Sequence, residues 1–357
     1  MARLMEIEDV KSLALGGAIL GGGGGGWMGD GERDGLLALE IGEVPLLDPR
    51  EAFGGMLVAV SAALGAPTRR GNTRPRHFIR SAELLREAGV KFDALIAAEN
   101  GGYNSFGGWI QAAALGLPVV DAPADGRAHP TAMMGGMGLQ REQGYVSVKA
   151  VACEGVEVVA RGSLVKTSSV ARMIAQDVGA LVAMTRDPVT VAYTLEHGAP
   201  YAISKAIELG RRVREAFKGG ADRGPKAALE FLGGMLVCHG VVKEKSQEVR
   251  GGFDVGTLLI EGDTIEYEIT YVNEYMTLEE GGRRLGTFPD LICTFDVEGR
   301  PVTSAAMDEG DGVYVTLTGR DRIPIGDGNR YPEVYKPIEE ALGRPMVSYL
   351  DGFLKAP

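Results

Sequence analysis

Cysteine is scarce in this chain of 357 residues: Cys153, Cys238 and Cys293 lie far apart and form no C-x-x-C pair. A disulfide framework and a zinc ribbon are both excluded, and a reducing compartment, the cytoplasm, is expected. No run of about 18 apolar residues is present to span a membrane. The first twenty residues hold acidic positions and no cationic stretch, so they do not read as a signal peptide. Positive charge is also short: the net charge is −11, and no Lys/Arg stripe offsets it. Nucleic acid and anionic membrane are therefore poor partners, because counterion release needs clustered cations. One short basic patch exists, Arg69, Arg70, Arg74 and Arg76 with His77, which reads as an anion contact, a subunit contact or a solvated loop. Internal repeats, charge blocks and long linkers are absent too.

Glycine, by contrast, is abundant at 53 residues, and six stand in a row from Gly21 to Gly26. Such a run weakens any regular element and lets main-chain N–H groups approach a ligand or another segment closely. With a helix expected near Asp34, the loop would present donors suited to a carboxylate, a phosphate or an imide oxygen. No Gly-Lys-Ser/Thr follows, so it is not a Walker loop, and a polyglycine run matches G-x-G-x-x-G trivially. The alternative is a tight turn that allows close packing.

Hydrophobic content of 45% and charged content of 24% are those of an ordinary globular protein. The length exceeds what one core usually serves, so two domains are expected. Residues 1–165 alternate apolar strands with amphipathic helices, and each strand ends in a polar or glycine-rich loop. That pattern predicts an α/β domain with a mostly parallel sheet and ligands beyond the carboxyl ends of its strands. Residues 166–357 are read as a β-rich barrel or sandwich, with a helix pair inserted over TSSVARMIAQDVGALVAM and SKAIELGRRVREAFK and a final helix in YPEVYKPIEEALG. Ser204 is placed to cap the second helix of that pair.

Three loops carry the chemistry. After an apolar strand, AAENGGYNS sets Glu99, Asn100 and Asn104 around a glycine turn. A carboxylate buried there has its affinity for protons raised and suits acid–base work, while Asn104 can orient a carbonyl or imide. Capping of a helix or pairing with an arginine is the alternative for Glu99. In VVDAPADGRAHP, Asp121, Asp125, Arg127 and His129 fall within nine residues. Asp121, Asp125 and His129 would hold a divalent metal if the site takes one, or Asp125 and His129 would move a proton. A turn at Asp121 and an Arg127–Asp125 pair are the bland readings. From the second domain, Asn273 and Glu274 of YVNEYM and Asp290 are candidates to close the cleft.

The ordered set LGGAILGGGGG, AAENGGYNS, LPVVDAPADGRAHP, GGFDVGTLLIEG, YVNEYM and FPDLI resembles the S-methyl thiohydantoin desulfurase-like family, a group associated with hydantoinase/oxoprolinase-type proteins. The resemblance implies chemistry on a five-membered cyclic amide or imide such as a hydantoin or its S-methyl thio analogue. Here His129 stands where many relatives have an aromatic residue, and Met133, Met134 and Met137 replace a more polar stretch. The resulting expectation is a hydrolytic enzyme. The N–H groups of Gly22, Gly23, Gly24 and Gly25 would stabilise the developing charge, Glu99, or Asp125 with His129, would activate water, and Asn104, Arg127 and Asn273 would hold the small-molecule substrate. Competing expectations are a non-catalytic subunit docked on a hydantoinase/oxoprolinase-type partner, a homo-oligomer, and a nucleotide- or phosphate-binding protein.

Overall fold

A computed structural model describes residues 2–65, 73–220 and 222–355. Among them, strands β1 (Arg3–Leu4), β2 (Pro45–Leu47), β3 (Leu57–Leu64), β4 (Ala94–Ala97), β5 (Val119–Val120), β6 (Ser147–Cys153), β7 (Val156–Gly162) and β8 (Val182–Thr190) form one sheet. Its order is β1-β2-β5-β4-β3-β8-β6-β7. Strands β2, β5, β4 and β3 pair in parallel, whereas β1, β8, β6 and β7 join antiparallel. The sheet is thus mixed rather than mostly parallel. The physical reason lies at Gly179: the helix expected to run through Met184 ends there, with the glycine at φ 64, and the β-branched stretch beyond it returns to the sheet as β8.

Helices cover both faces of this sheet. Helices α1 (Ile7–Leu20), α2 (Met28–Ile41), α3 (Pro75–Glu87) and α4 (Trp109–Leu115) pack with Ala59, Leu95 and Val119. On the opposite face, α5 (Leu164–Val178) and α6 (Val191–His197) pack with Val58, Val60 and Ile96. Alternate residues of β3 and β4 therefore feed opposite cores, which explains why their sequences read as continuous apolar runs. Helix α7 (Ala202–Ala216) lies against α1 backbone to backbone: a Cβ on Gly16 would fall 1.8 Å from the Ala206 carbonyl oxygen, and one on Gly210 equally close to that of Ser12. Its first turn is capped from outside, since Asp121 accepts from the Ile203 and Ser204 N–H groups and from the Ser204 hydroxyl, leaving Ser204 within the helix rather than at its cap.

After α8 (Arg223–Leu232) come β9 (Met235–Arg250), β10 (Phe253–Gly262), β11 (Glu266–Val272), β12 (Glu274–Glu280), β13 (Arg283–Thr287), β14 (Leu291–Asp296), β15 (Pro301–Val302) and β16 (Gly312–Thr318). They form a second sheet, antiparallel throughout, in the order β13-β12-β11-β10-β9-β16-β14-β15. Leu258, Ile269, Tyr275, Ile292 and Val315, from five of these strands, meet in one core. The last helix, α9 (Lys336–Leu342), covers a second cluster around Val272, Met276 and Phe288.

Candidate active site

The polyglycine run occupies the joint between the two domains. Gly22 O accepts from the Tyr275 N–H, Gly23 O from the Ser304 N–H, and the Gly25 N–H donates to Glu274 Oε1 at 3.2 Å. On the other side, Gly25 O accepts from the N–H groups of Tyr103 and Asn104. Side chains have no room here. A Cβ on Gly23, at φ 89, would lie 2.5 Å from the Tyr275 ring, one on Gly24 would lie 2.2 Å from Glu274 Oε1, and one on Gly25 would lie 2.5 Å from the Gly101 Cα. The loop ends at the N-terminus of α2, which begins at Met28, earlier than the sequence indicates.

Beside this joint a pocket opens at the carboxyl ends of β3, β4 and β5. It is lined by Gly25 and Gly26, by Ala62 to Gly65 and by Glu99, Asn104 and His129, with Asn273 and Glu274 contributed by the second domain. Three loops singled out in the sequence thus meet at one hollow.

Glu99 is fully buried. Its Oε1 accepts from Asn104 Nδ2 at 2.7 Å and its Oε2 from the His129 N–H at 3.0 Å. Burial raises its pKa well above the usual carboxylate range, and the neighbouring Glu274 raises it further. The His129 ring stands beside it, Nε2 to Oε2 at 3.2 Å but off the line of a hydrogen bond, and the Ala98 backbone is the ring's other polar neighbour. Burial first, and the Arg186 guanidinium second, push the imidazole down to about 3, so it is neutral at pH 7. Glu274 is raised by burial and held back by Arg127, the Gly25 N–H and Arg172; its Oε2 is buried and has no partner.

Two arginines that the sequence does not single out line the pocket. Arg172 on α5 donates to the carbonyls of Gly252 and Pro130 and lies 3.9 Å over the Phe253 ring. Arg186 on β8 donates to Gly135 O and to Asp187, and its buried Nε has no partner. Behind it, Asp187 is ion-paired to the fully buried Lys149 and accepts from Ser147. Periodicity marks neither arginine: one sits on an amphipathic helix like any polar residue, and the other lies in a strand whose first residues read as helix.

The remaining candidates lie outside this hollow. Asp125 is buried and raised to about 7, and it accepts from the N–H groups of Gly126 and Gly326 and from Asn329, which ties down the C-terminal segment. Arg127 reaches the carbonyls of Pro289 and Asp290 from across the joint and lies 4.3 Å over Phe288. It does not pair with Asp125. Asn100 bridges the Gly126 and Ala202 carbonyls, and Asp290 pairs with Arg320. The N–H groups of Gly22, Gly24 and Gly25 serve the chain itself, on Ile19 O, Gly21 O and Glu274. With Asp121 bonded to α7 and Asp125 to the C-terminal segment, neither is left to share a metal with His129. Among the described residues no group of three or more His, Cys, Asp or Glu side chains is arranged to hold a metal ion. Of the basic patch, Arg69 and Arg70 lie outside the described residues. Arg76 pairs with Glu154, and His77 is buried, accepting the Arg74 N–H on Nδ1.

Comparison with known proteins agrees with this two-part architecture. A crystal structure of a protein from Chromobacterium violaceum superposes with a TM-score of 0.73 over 100% of both chains, at 21% identity, a likeness of fold alone. No curated protein matches the chain. Residues 8–162 match the S-Me-THD-like N-terminal domain and residues 163–321 the S-Me-THD-like C-terminal domain. The chain belongs to the S-Me-THD-like family.

Proposed function

We propose that this protein is a hydrolase acting on a small five-membered cyclic amide or imide, with S-methyl thiohydantoins as its leading substrate class and hydantoins next. One observation carries the reading. Two buried side-chain atoms without a hydrogen-bond partner, Oε2 of Glu274 and Nε of Arg186, line the same pocket as the buried His129 ring, which no side chain hydrogen-bonds. Buried polar atoms are rarely left unpaired in a folded protein, and unpaired groups around one hollow suit a polar ligand.

A ring amide offers both donors and acceptors, and this pocket has both. Glu99, whose affinity for a proton is raised by burial and by Glu274, and the neutral His129 beside it supply acid–base groups at the ring. Asn104 fixes the Glu99 carboxyl, and Asn273 sits at the hairpin tip that closes the pocket. Arg172 and Arg186 lie where negative charge developing on a ring oxygen or nitrogen would be stabilised. In the S-methyl case water adds to the ring carbon that carries sulfur, methanethiol leaves, and a ring carbonyl remains.

Direct assay of purified protein with S-methyl thiohydantoins, following free thiol, tests the reading. Thiol release by the wild type and its loss in Glu99→Gln supports it. Equal rates in the two proteins would remove Glu99 from the chemistry, and no release at all would remove the substrate class.

A further inference from the structure

The two carboxylates of the pocket come from different domains and have unequal surroundings. Glu99 has both oxygens engaged; Glu274 and Asp125 are its acidic neighbours, and Arg172 is a cation it shares with Glu274. Glu274 follows Asn273, where the chain turns at φ 58 between β11 and β12, and this tip carries it across the joint. Its Oε1 is fixed by the Gly25 N–H at 3.2 Å, Arg127 and Arg172 are its cationic neighbours, and Oε2 is left buried with no partner in the pocket. Both carboxyls line one buried pocket and Glu274 disfavours the charged form of Glu99, so environment decides which acid keeps the proton. Arg127 acts on Glu274 and not on Glu99, and Arg172 acts on Glu274 before Glu99.

We propose that Glu274, delivered by the hairpin tip of the second domain, is the general base that takes the proton from the attacking water, and that Glu99 is the acid opposite it. This rests on the hydrolytic reading above. For an S-methyl thiohydantoin the steps balance without any co-reactant. Water oxygen bonds to the ring carbon while one of its protons passes to Glu274 Oε2. The C=N electron pair moves to the ring nitrogen, which takes the proton of Glu99. As the C–S bond then breaks, the new hydroxyl returns a proton to Glu99 and becomes the carbonyl, and Glu274 hands its proton to the departing thiolate. Both carboxyls end as they began.

Glu274→Gln and Glu99→Gln provide the test, with two readouts. A glutamine at 274 keeps an oxygen for the Gly25 N–H, so the joint is preserved; circular dichroism checks this. In turnover of an S-methyl thiohydantoin, Glu274→Gln is expected to lower kcat by about 100-fold or more and to abolish the acid limb of the pH profile. A rate within a few-fold of wild type, or an unchanged acid limb, overturns the assignment. Without substrate, infrared difference spectra of the carboxyl groups between pH 4 and 10 read the order of ionisation, and Glu99→Gln supplies this readout even if the other variant fails to fold. Of the two carboxyl bands that the substitutions remove, the one lost in Glu274→Gln is expected to ionise at lower pH than the one lost in Glu99→Gln; the reverse order overturns the proposal. Absence of any turnover by the wild type would sink the hydrolytic reading and the base role together, whereas the infrared order stands or falls separately.

Discussion

A histidine ring kept neutral by burial costs stability whenever acid can protonate it in the unfolded chain but not in the folded one. His129 titrates near 3 when folded, against about 6.5 unfolded. Between those values the unfolded state binds the extra proton, so acidification favours unfolding, and the contribution is fully present only above about pH 6.5. From pH 6.5 to 4.5 the wild type is expected to lose about 2 kcal/mol more than His129→Phe in urea denaturation. Equal losses would show that the imidazole is protonated or solvated in the folded state. Glu99, Asn104 and His129 are legible in the sequence because a polar cluster directly after an apolar strand has few uses other than a site or a cap. Asp125 looks equivalent there, but its bonds to Gly326 and Asn329 depend on a segment about 200 residues away, which no local pattern reveals.

Among the elements, the polyglycine loop makes the sharpest demand. Gly23 combines a left-handed backbone with the Tyr275 ring against its Cα, so Gly23→Ala is expected to destabilise by about 2–4 kcal/mol, from strain and overpacking together. Gly29, in the first turn of α2 with nothing within 4 Å of where a Cβ would stand, serves as control. Its replacement by alanine is expected to raise stability by about 0.5 kcal/mol. A tolerant Gly23 in thermal or urea melts would mean that the second domain does not press on the loop. The sequence announces that something comes close to these glycines; that the visitor is largely the protein's own hairpin follows only from tertiary pairing. Strand β8 is hidden in the sequence for a related reason: Ala180-Leu-Val-Ala-Met184 fits either period over so short a span, and Gly179 as a helix end is the available signal.

At the scale of the whole molecule, the chain boundary and the spatial boundary differ. The first sheet takes β8 from beyond residue 165, and β8 bridges β3 to β6. A fragment of residues 1–165 is therefore expected to lack a stable sheet, with no cooperative melt by circular dichroism, whereas the full chain melts in a single transition because Arg127 and the glycine joint bind its halves. A folded, cooperatively melting fragment would contradict this. The site depends on the same interlock, since Glu274 reaches Glu99 and His129 only while the second domain is seated. The most direct test of the account is a crystal structure of Glu99→Gln soaked with an S-methyl thiohydantoin that the wild type turns over. The account predicts the ring seated in this pocket, its polar atoms bonded to the 99 side chain, His129 and Arg186, with the sulfur-bearing carbon facing Glu274; a ring bound elsewhere would contradict it.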